Sequence, residues 1–307
     1  MARAQTPLPA IGRDVVGVGE NSIDLVYRIP AVLTADGKQP ITSYRESAGG
    51  QVATALCAAA ALGLRTSYVG TFGSDEHGQM VRQQLAARGV DVAWAPVRPV
   101  RNRRAVVIVD ETSGSRSILW ERDPALALTA GDLPRSIIAA ARVLHVDDVD
   151  VDISLQAAAI ARAAERVVTA DIDQITARTG ALVDAVTHPI MARHVPSALT
   201  GEDNLERALR SLRQPHHALL AVTLGSRGAM LLVNDAVHHA PAPPIHAVDT
   251  TGAGDVFRGA FIYALLRGDT PEAILRFAAA AAAVSCTREG AIDSVPTLAE
   301  IEQLLLP

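Results

Sequence analysis

The sequence predicts an α/β protein: a mostly parallel sheet with helices on both faces, and a small second sheet beside it. Three observations carry this. Short β-branched runs alternate with alanine- and leucine-rich stretches of helical length along most of the chain. Two inserts, about residues 25–46 and 100–121, break that rhythm with strand-like segments. At 307 residues, with 49% hydrophobic and 20% charged side chains, the chain can bury the core of one large domain, with at most a small appendage.

Val15-Val16-Gly17-Val18-Gly19 reads as a buried first strand. Asn21-Ser22-Ile23-Asp24 follows at its carboxyl end, where α/β sheets place ligands. Asp24 reads there as a turn residue or as a carboxylate for a hydroxylated ligand; by itself the turn is favoured. In the first insert Leu25-Val26-Tyr27 and Ile41-Thr42-Ser43-Tyr44 are split by Pro30, Gly37 and Pro40. Gly49-Gly50 then opens an alanine-rich helix, Gln51 to Leu62, stopped by Gly63. Thr66–Val69 is a strand, and Gln79 to Arg88 a helix ended by Gly89. The second insert holds a hairpin, Ala105–Val109 and Ser117–Trp120, around Asp110-Glu111-Thr112-Ser113-Gly114. Strands are expected at Arg142–Val146 and Val167–Asp171 around a helix at Ser154–Ala164. After the apolar stretch Leu182–Val186 come a helix over Glu202–Leu212, an apolar run at Ala218–Leu224 and a hairpin, Ala229–Val233 with Val237–Ala240. Helices at Val256–Arg267, Pro271–Thr287 and Leu298–Leu305 close the chain.

Composition excludes several classes. The net charge of -5 carries no basic footprint for nucleic acid and no polybasic membrane patch. Lys38 is the only lysine and no Gly-Lys-Ser/Thr triplet exists, so a lysine-dependent P-loop is out. Cys57 and Cys286 sit in alanine-rich stretches and imply neither a disulfide framework nor a structural zinc site. Met1 to Asp14 has no apolar leader core, and the apolar run Phe277–Val284 is too short to span a bilayer, so a cytoplasmic location is expected. Gly17-Val18-Gly19 lacks the third glycine of a dinucleotide fingerprint.

The most informative stretch is His246 to Phe261. Gly252 and Gly254 permit a sharp turn and close approach to a ligand, and the apolar run after them is helix-permissive. Free N–H groups at a helix start favour an anion, and Asp255 places a carboxylate beside it. Phosphoryl transfer needs that pairing: amides for charged oxygens and a base for the proton of the attacking hydroxyl. A capped helix start is the equal alternative for this stretch alone. Thr223-Leu224-Gly225-Ser226-Arg227-Gly228 is either a backbone approach to a nucleotide or an ordinary hairpin turn.

Taken together, these blocks resemble the ribokinase-like, PfkB-type carbohydrate kinases over nearly the whole chain. The carrying residues are Asp24, Gly49-Gly50, Val69 to Gly78, Val222 to Gly228, Asp249-Thr250-Thr251-Gly252-Ala253-Gly254-Asp255, and Cys286 to Ala291 with Val295-Pro296-Thr297. The resemblance implies a single domain over 1–307: a three-layer α/β/α core with a small β-sheet lid at the two inserts. It implies ATP-dependent phosphorylation of a sugar hydroxyl, with Mg²⁺ beside ATP and room for a monovalent cation such as K⁺. Asp255 would be the base and Gly252, Ala253 and Gly254 the anion hole. Asp24, Gly49, Gly50, Thr54 and Arg104 fall toward the sugar, and Thr223, Gly225, Gly228, Thr251 and Cys286 toward the nucleotide. The run from Asp249 to Phe257, with Cys286-Thr287-Arg288, looks closest to a ketose branch that includes ketohexokinase and sulfofructose kinase.

The chain departs from the family pattern in three places. Thr54 stands where an Asn is common. The Asn-x-x-Glu motif expected before Leu199-Thr200-Gly201 is missing from Thr187 to His194, which leaves Asp171 and Asp173 as candidate metal acids against a plain reading as strand-end turn acids. Arg258 stands where His or Asn is frequent, and its favoured reading is a solvated helix residue. Arg103 and Arg104 begin a lid segment; a basic loop before an edge strand is the preferred reading, a contact to a substrate anion the other. The rival functions are a nucleoside kinase, with Tyr27, Tyr44 and Trp120 as base-pocket aromatics, and a non-catalytic sugar-binding relative. Apolar residues on lid sheets predict a homodimer through the lids.

Overall fold

The computed structural model describes residues 12–112 and 116–306. Most of the stretch read for a leader, residues 1–11, lies outside the described residues, as do Ser113 and Gly114 of the hairpin loop. The strands, in order, are β1 (Val15–Val18), β2 (Ser22–Ile29), β3 (Ser43–Gly49), β4 (Thr66–Val69), β5 (Phe72–Gly73), β6 (Val90–Asp91), β7 (Val97–Arg98) and β8 (Arg104–Asp110). They continue with β9 (Arg116–Glu121), β10 (Val143–Val146), β11 (Val167–Ile172), β12 (His188–Ala192), β13 (Leu220–Thr223), β14 (Ala229–Val233) and β15 (Ala236–Ala240). The helices are α1 (Gln51–Ala61), α2 (Glu76–Ala87), α3 (Arg135–Ala140), α4 (Val151–Ala163), α5 (Thr179–Ala185), α6 (Val195–Thr200), α7 (Leu205–Leu212), α8 (Ala253–Arg267), α9 (Pro271–Ser285) and α10 (Leu298–Leu305).

The central sheet runs β15-β14-β13-β12-β11-β10-β1-β4-β6. It is parallel from β6 to β13, and the hairpin at one edge is antiparallel. Its strands are short, β-branched and buried on both faces, as parallel strands between helix layers must be. Alternation divides the core: Val16, Val18, Leu144 and Val146 face α3, α4 and α5, whereas Val15 and Val143 pack with α1 and α2. All four phenylalanines, Phe72, Phe257, Phe261 and Phe277, are buried on the α1–α8–α9 side.

Local signals start the helices. Asp75 accepts the Gly78 N–H at 3.0 Å, and Thr297 with Glu300 forms a capping box on α10. Gly259 lets α1 and α8 cross closely: a Cβ there would lie 2.3 Å from Ala55 O. That crossing helps set the helix start at Gly50 beside the one at Gly252.

The second sheet, β3-β2-β8-β9, is built from residues 22–49 and 104–121, close to the expected inserts. It is mixed, with β2 parallel to β8. Two expectations change. Asp24 is no turn residue, because β2 begins at Ser22 and pairs Asp24 with Ser47 and Ala105. The segment where the Asn-x-x-Glu motif was sought is β12, a buried interior strand. Pro189 hid it, since proline argues against an interior strand, and the apolar stretch before it is the end of α5.

Candidate active site

Asp249 shapes the turn before α8. Its Oδ1 accepts the Thr251 N–H at 2.9 Å and the Thr251 hydroxyl at 2.7 Å, and its Oδ2 accepts the Gly290 N–H at 3.0 Å. Burial opposes ionisation here, but these hydrogen bonds and Arg116 hold the carboxyl below its ordinary value. Gly252 then turns the chain at φ 73°, and a Cβ would meet Ala291 at 2.8 Å. α8 starts at Ala253, and among the described residues the N–H groups of Gly254 and Asp255 have no backbone acceptor.

Asp255 keeps part of its surface open, but its carboxyl is desolvated. Burial pushes its pKa up to about 7; Arg258 and a hydrogen bond with Asp171 pull it down, while Asp173 and Asp24 push it up. Burial also holds the Asp171 carboxyl well above the usual carboxylate range, against the pull of Arg258. Asp24, 8% exposed, accepts the Ser22 hydroxyl at 3.0 Å. Gly49 makes room for it: a Cβ would come within 2.8 Å of Asp24 Oδ2. Gly50 caps α1 immediately after. The structure therefore brings Asp24, Gly49, Gly50 and the 252–255 turn together at the carboxyl end of the sheet. Thr54, on the first turns of α1, is fully buried and its hydroxyl has no partner among the described residues. Arg104 stands beside Ile23 where β8 pairs with β2, and its side chain pairs across the second sheet with Glu121 at 2.6 Å.

On the other side of the turn lies an apolar cavity of about 550 Å³. Thr223, Gly225, Gly228, Ala253, Gly254 and Cys286 line it, with Pro243, Ile245 and the alanines of α9. It has the size and mixed lining of a small-molecule site. Thr251 faces a different cleft, of about 210 Å³, shared with Arg116 and Asp249. Its hydroxyl accepts Arg116 Nη1 at 2.7 Å.

One expectation is corrected. Arg258 is not solvated: it is 4% exposed and its Nη2 lies 2.5 Å from Asp171 Oδ1. Asp171 is thereby paired with the guanidinium and, at 1% exposure, lies buried in the core. Asp173 is exposed, and among the described residues no group of three or more His, Cys, Asp and Glu side chains converges on a metal site.

Other site residues were missed in the sequence. Glu20 and Asp147 are buried beside the site; burial raises them to about 8 and about 7, and Arg103 pairs with Glu20. Arg45 and Arg116 reach Asp249 from the second sheet, each at 3.3 Å. Glu20 directly after the first strand was a usable signal, as was Arg258 one helical turn from Asp255. The two sheet arginines carried no such signal.

A turn with free N–H groups and an acid, set between a buried polar site and an apolar cavity, fits a small-molecule kinase. A profile described as "pfkB family carbohydrate kinase" matches residues 13–298. The chain belongs to this family of ATP-dependent sugar kinases. It is 29% identical to fructokinase-1 of Zea mays, with 96% of this chain and 99% of the relative covered. It is also 29% identical to ribokinase of Bacillus subtilis, with 95% and 99% covered. Among solved structures, Arabidopsis thaliana ribokinase complexed with ribose and ATP superposes with a TM-score of 0.83 at 26% identity, covering 96% of this chain and 99% of that one. A ribokinase of Thermotoga maritima reaches 0.84 at 24% identity, covering 95% and 99%, and speaks for the fold alone. Neither the nucleoside-kinase nor the non-catalytic alternative is favoured by these relatives. Among the described residues no helix is long and apolar enough to cross a membrane.

Proposed function

We propose that this kinase transfers the γ-phosphoryl group of ATP to a hydroxyl of a ketose-type sugar, with Asp255 as general base. The single observation carrying this is the site's layout: Asp255 faces Asp24 on one side, while the turn holding it lines the 550 Å³ cavity on the other. The fructokinase relative supports the ketose class. On this reading ATP occupies the cavity at Thr223, Gly225, Gly228 and Cys286. The sugar sits at Asp24, Gly49 and Gly50, with Thr54 behind them and Arg104 outside the first contacts. Asp255 takes the proton of the attacking hydroxyl as the new O–P bond forms and the bond from the γ-phosphorus to the ADP oxygen breaks. The free N–H groups of Gly254 and Asp255 bind the transferring oxygens.

Among the described residues no group of acids makes a metal cage, so Mg²⁺ on this reading arrives with ATP, held by phosphate oxygens and water. A K⁺ requirement is a separate question for assay. The second sheet acts as a lid over the site, within one kinase domain. Ile118, Leu119 and Trp120, at 59%, 64% and 67% exposed, support a homodimer through these sheets. Two free cysteines fit a reducing, cytoplasmic location.

ADP release measured with a panel of ketoses, aldoses and nucleosides tests the proposal. Turnover with a ketose well above the aldoses is expected. Turnover confined to nucleosides, or none with any acceptor, overturns it.

A further inference from the structure

We propose that Arg258 is a positioning residue for phosphoryl transfer: its buried guanidinium, clamped to Asp171 beneath the first turn of α8, keeps Asp255 ionised. The inference rests on the reading of Asp255 as the base. Arg258 follows Asp255 by three residues, so the two share a helix face one turn apart. Its Nη2 lies 2.5 Å from Asp171 Oδ1 and 3.5 Å from the Ile190 carbonyl. Its Nη1 sits under the anion turn, where a Cβ on Gly254 would be only 2.6 Å away. Side-chain exposure is 4% for Arg258 and 1% for Asp171.

The surroundings are acidic. Asp171 and Asp173 face Asp255 from the end of β11, and Asp24 faces it from β2. Asp255 also acts on Glu20, after β1. Asp148, after β10, and His145, within β10, face Arg258 itself. The helices packed on α8 add little: α1 brings Cys57, and α9 brings Glu272, bound to His238, and the exposed Arg276. Crowded, desolvated carboxyls favour protonation, and a base that holds a proton cannot accept one. The Arg258 cation, one helical turn from Asp255, offsets that tendency, and Asp171 fixes where the cation sits. A buried ion pair is weak evidence of stability; this one lies one turn from the reacting group, where its charge has a chemical consequence.

The test is the pH dependence of kcat/KM in Arg258→Gln, Arg258→Lys and the double variant Asp171→Asn/Arg258→Gln, beside Asp255→Asn. In Arg258→Gln the acid limb should move up by a unit or more, so that turnover at neutral pH falls at least about fivefold and recovers in alkaline buffer. Arg258→Lys should stay nearer the unaltered enzyme. Adding Asp171→Asn to Arg258→Gln should add little, because Asp171 acts through the cation it fixes and that cation is already gone. Should Arg258→Gln not fold, Asp171→Asn alone decides: with the clamp on Arg258 released, the limb should move to higher pH, and an unmoved limb overturns the inference. A folded Arg258→Gln enzyme with a lower melting temperature and an unmoved limb also overturns it. If Asp255→Asn keeps its turnover, the base assignment fails first. If Asp255→Asn is inactive and the Arg258 limb stays put, only the role of Arg258 fails.

Discussion

Two arginine–carboxylate pairs in this protein have nearly the same length and opposite settings. Arg258 and Asp171 meet at 2.5 Å with side chains 4% and 1% exposed. Arg104 and Glu121 meet at 2.6 Å on the second sheet, 34% and 62% exposed. Water screens the second pair, whereas the first acts through a desolvated interior where its charge reaches Asp255. Distance alone does not rank such contacts; the medium does. Between them stands Arg116, partly exposed, which joins the second sheet to Asp249 and to the hydroxyls of Thr250 and Thr251.

The largest expected effect lies at the buried end. Asp255→Asn should lower kcat by ~10²–10⁴-fold with KM for sugar and ATP little changed; steady-state kinetics check this, and near-normal kcat would remove the contrast. The unaltered enzyme should show kcat/KM rising with pH. Burial raises the Asp255 pKa to about 7, so a base at this position should be protonated and idle below that value and ionised above it. A profile flat from mildly acidic to mildly alkaline pH would show that burial does not govern the base. Gly259→Ala tests the helix crossing that sets the site. Its Cβ would approach Ala55 O at 2.3 Å, and a cost of ~1–3 kcal/mol should appear in denaturant unfolding.

Smaller effects belong to the second sheet. Arg116→Ala should raise KM several-fold while changing stability by less than about 1 kcal/mol, since its contacts are partly exposed; a fall in kcat alone would move Arg116 into the chemistry. Arg104→Ala should cost ~0–1 kcal/mol and leave kinetics near normal. A large KM change there would restore the arginine to the sugar site and undo the contrast drawn here.

Much of this was legible from local chemistry. The alternation of strands and helices, the two inserts and the 249–255 turn each depend on residues adjacent in the chain. Thr223, Gly225, Gly228 and Cys286 were read from separate blocks, and the structure gathers them in one cavity. Thr251 belonged to the same reading but turned toward the second sheet, because Asp249 takes its hydroxyl. β12 was missed because Pro189 contradicts the local rule for interior strands, and packing between β11 and β13 overrode it.

By itself the sequence determined the architecture, the family and the turn that carries Asp255, because those follow from periodicity and from contiguous motifs. Only the tertiary structure decided the electrostatics. Asp171 and Arg258 are 87 positions apart (258 − 171), and in the sequence Asp171 reads as a candidate metal acid or a strand-end turn acid and Arg258 as a solvated helix residue. Their meaning comes from burial at the end of β11 beneath α8, and burial, which sets the dielectric and hence the protonation of Asp255, is a property of the packed fold.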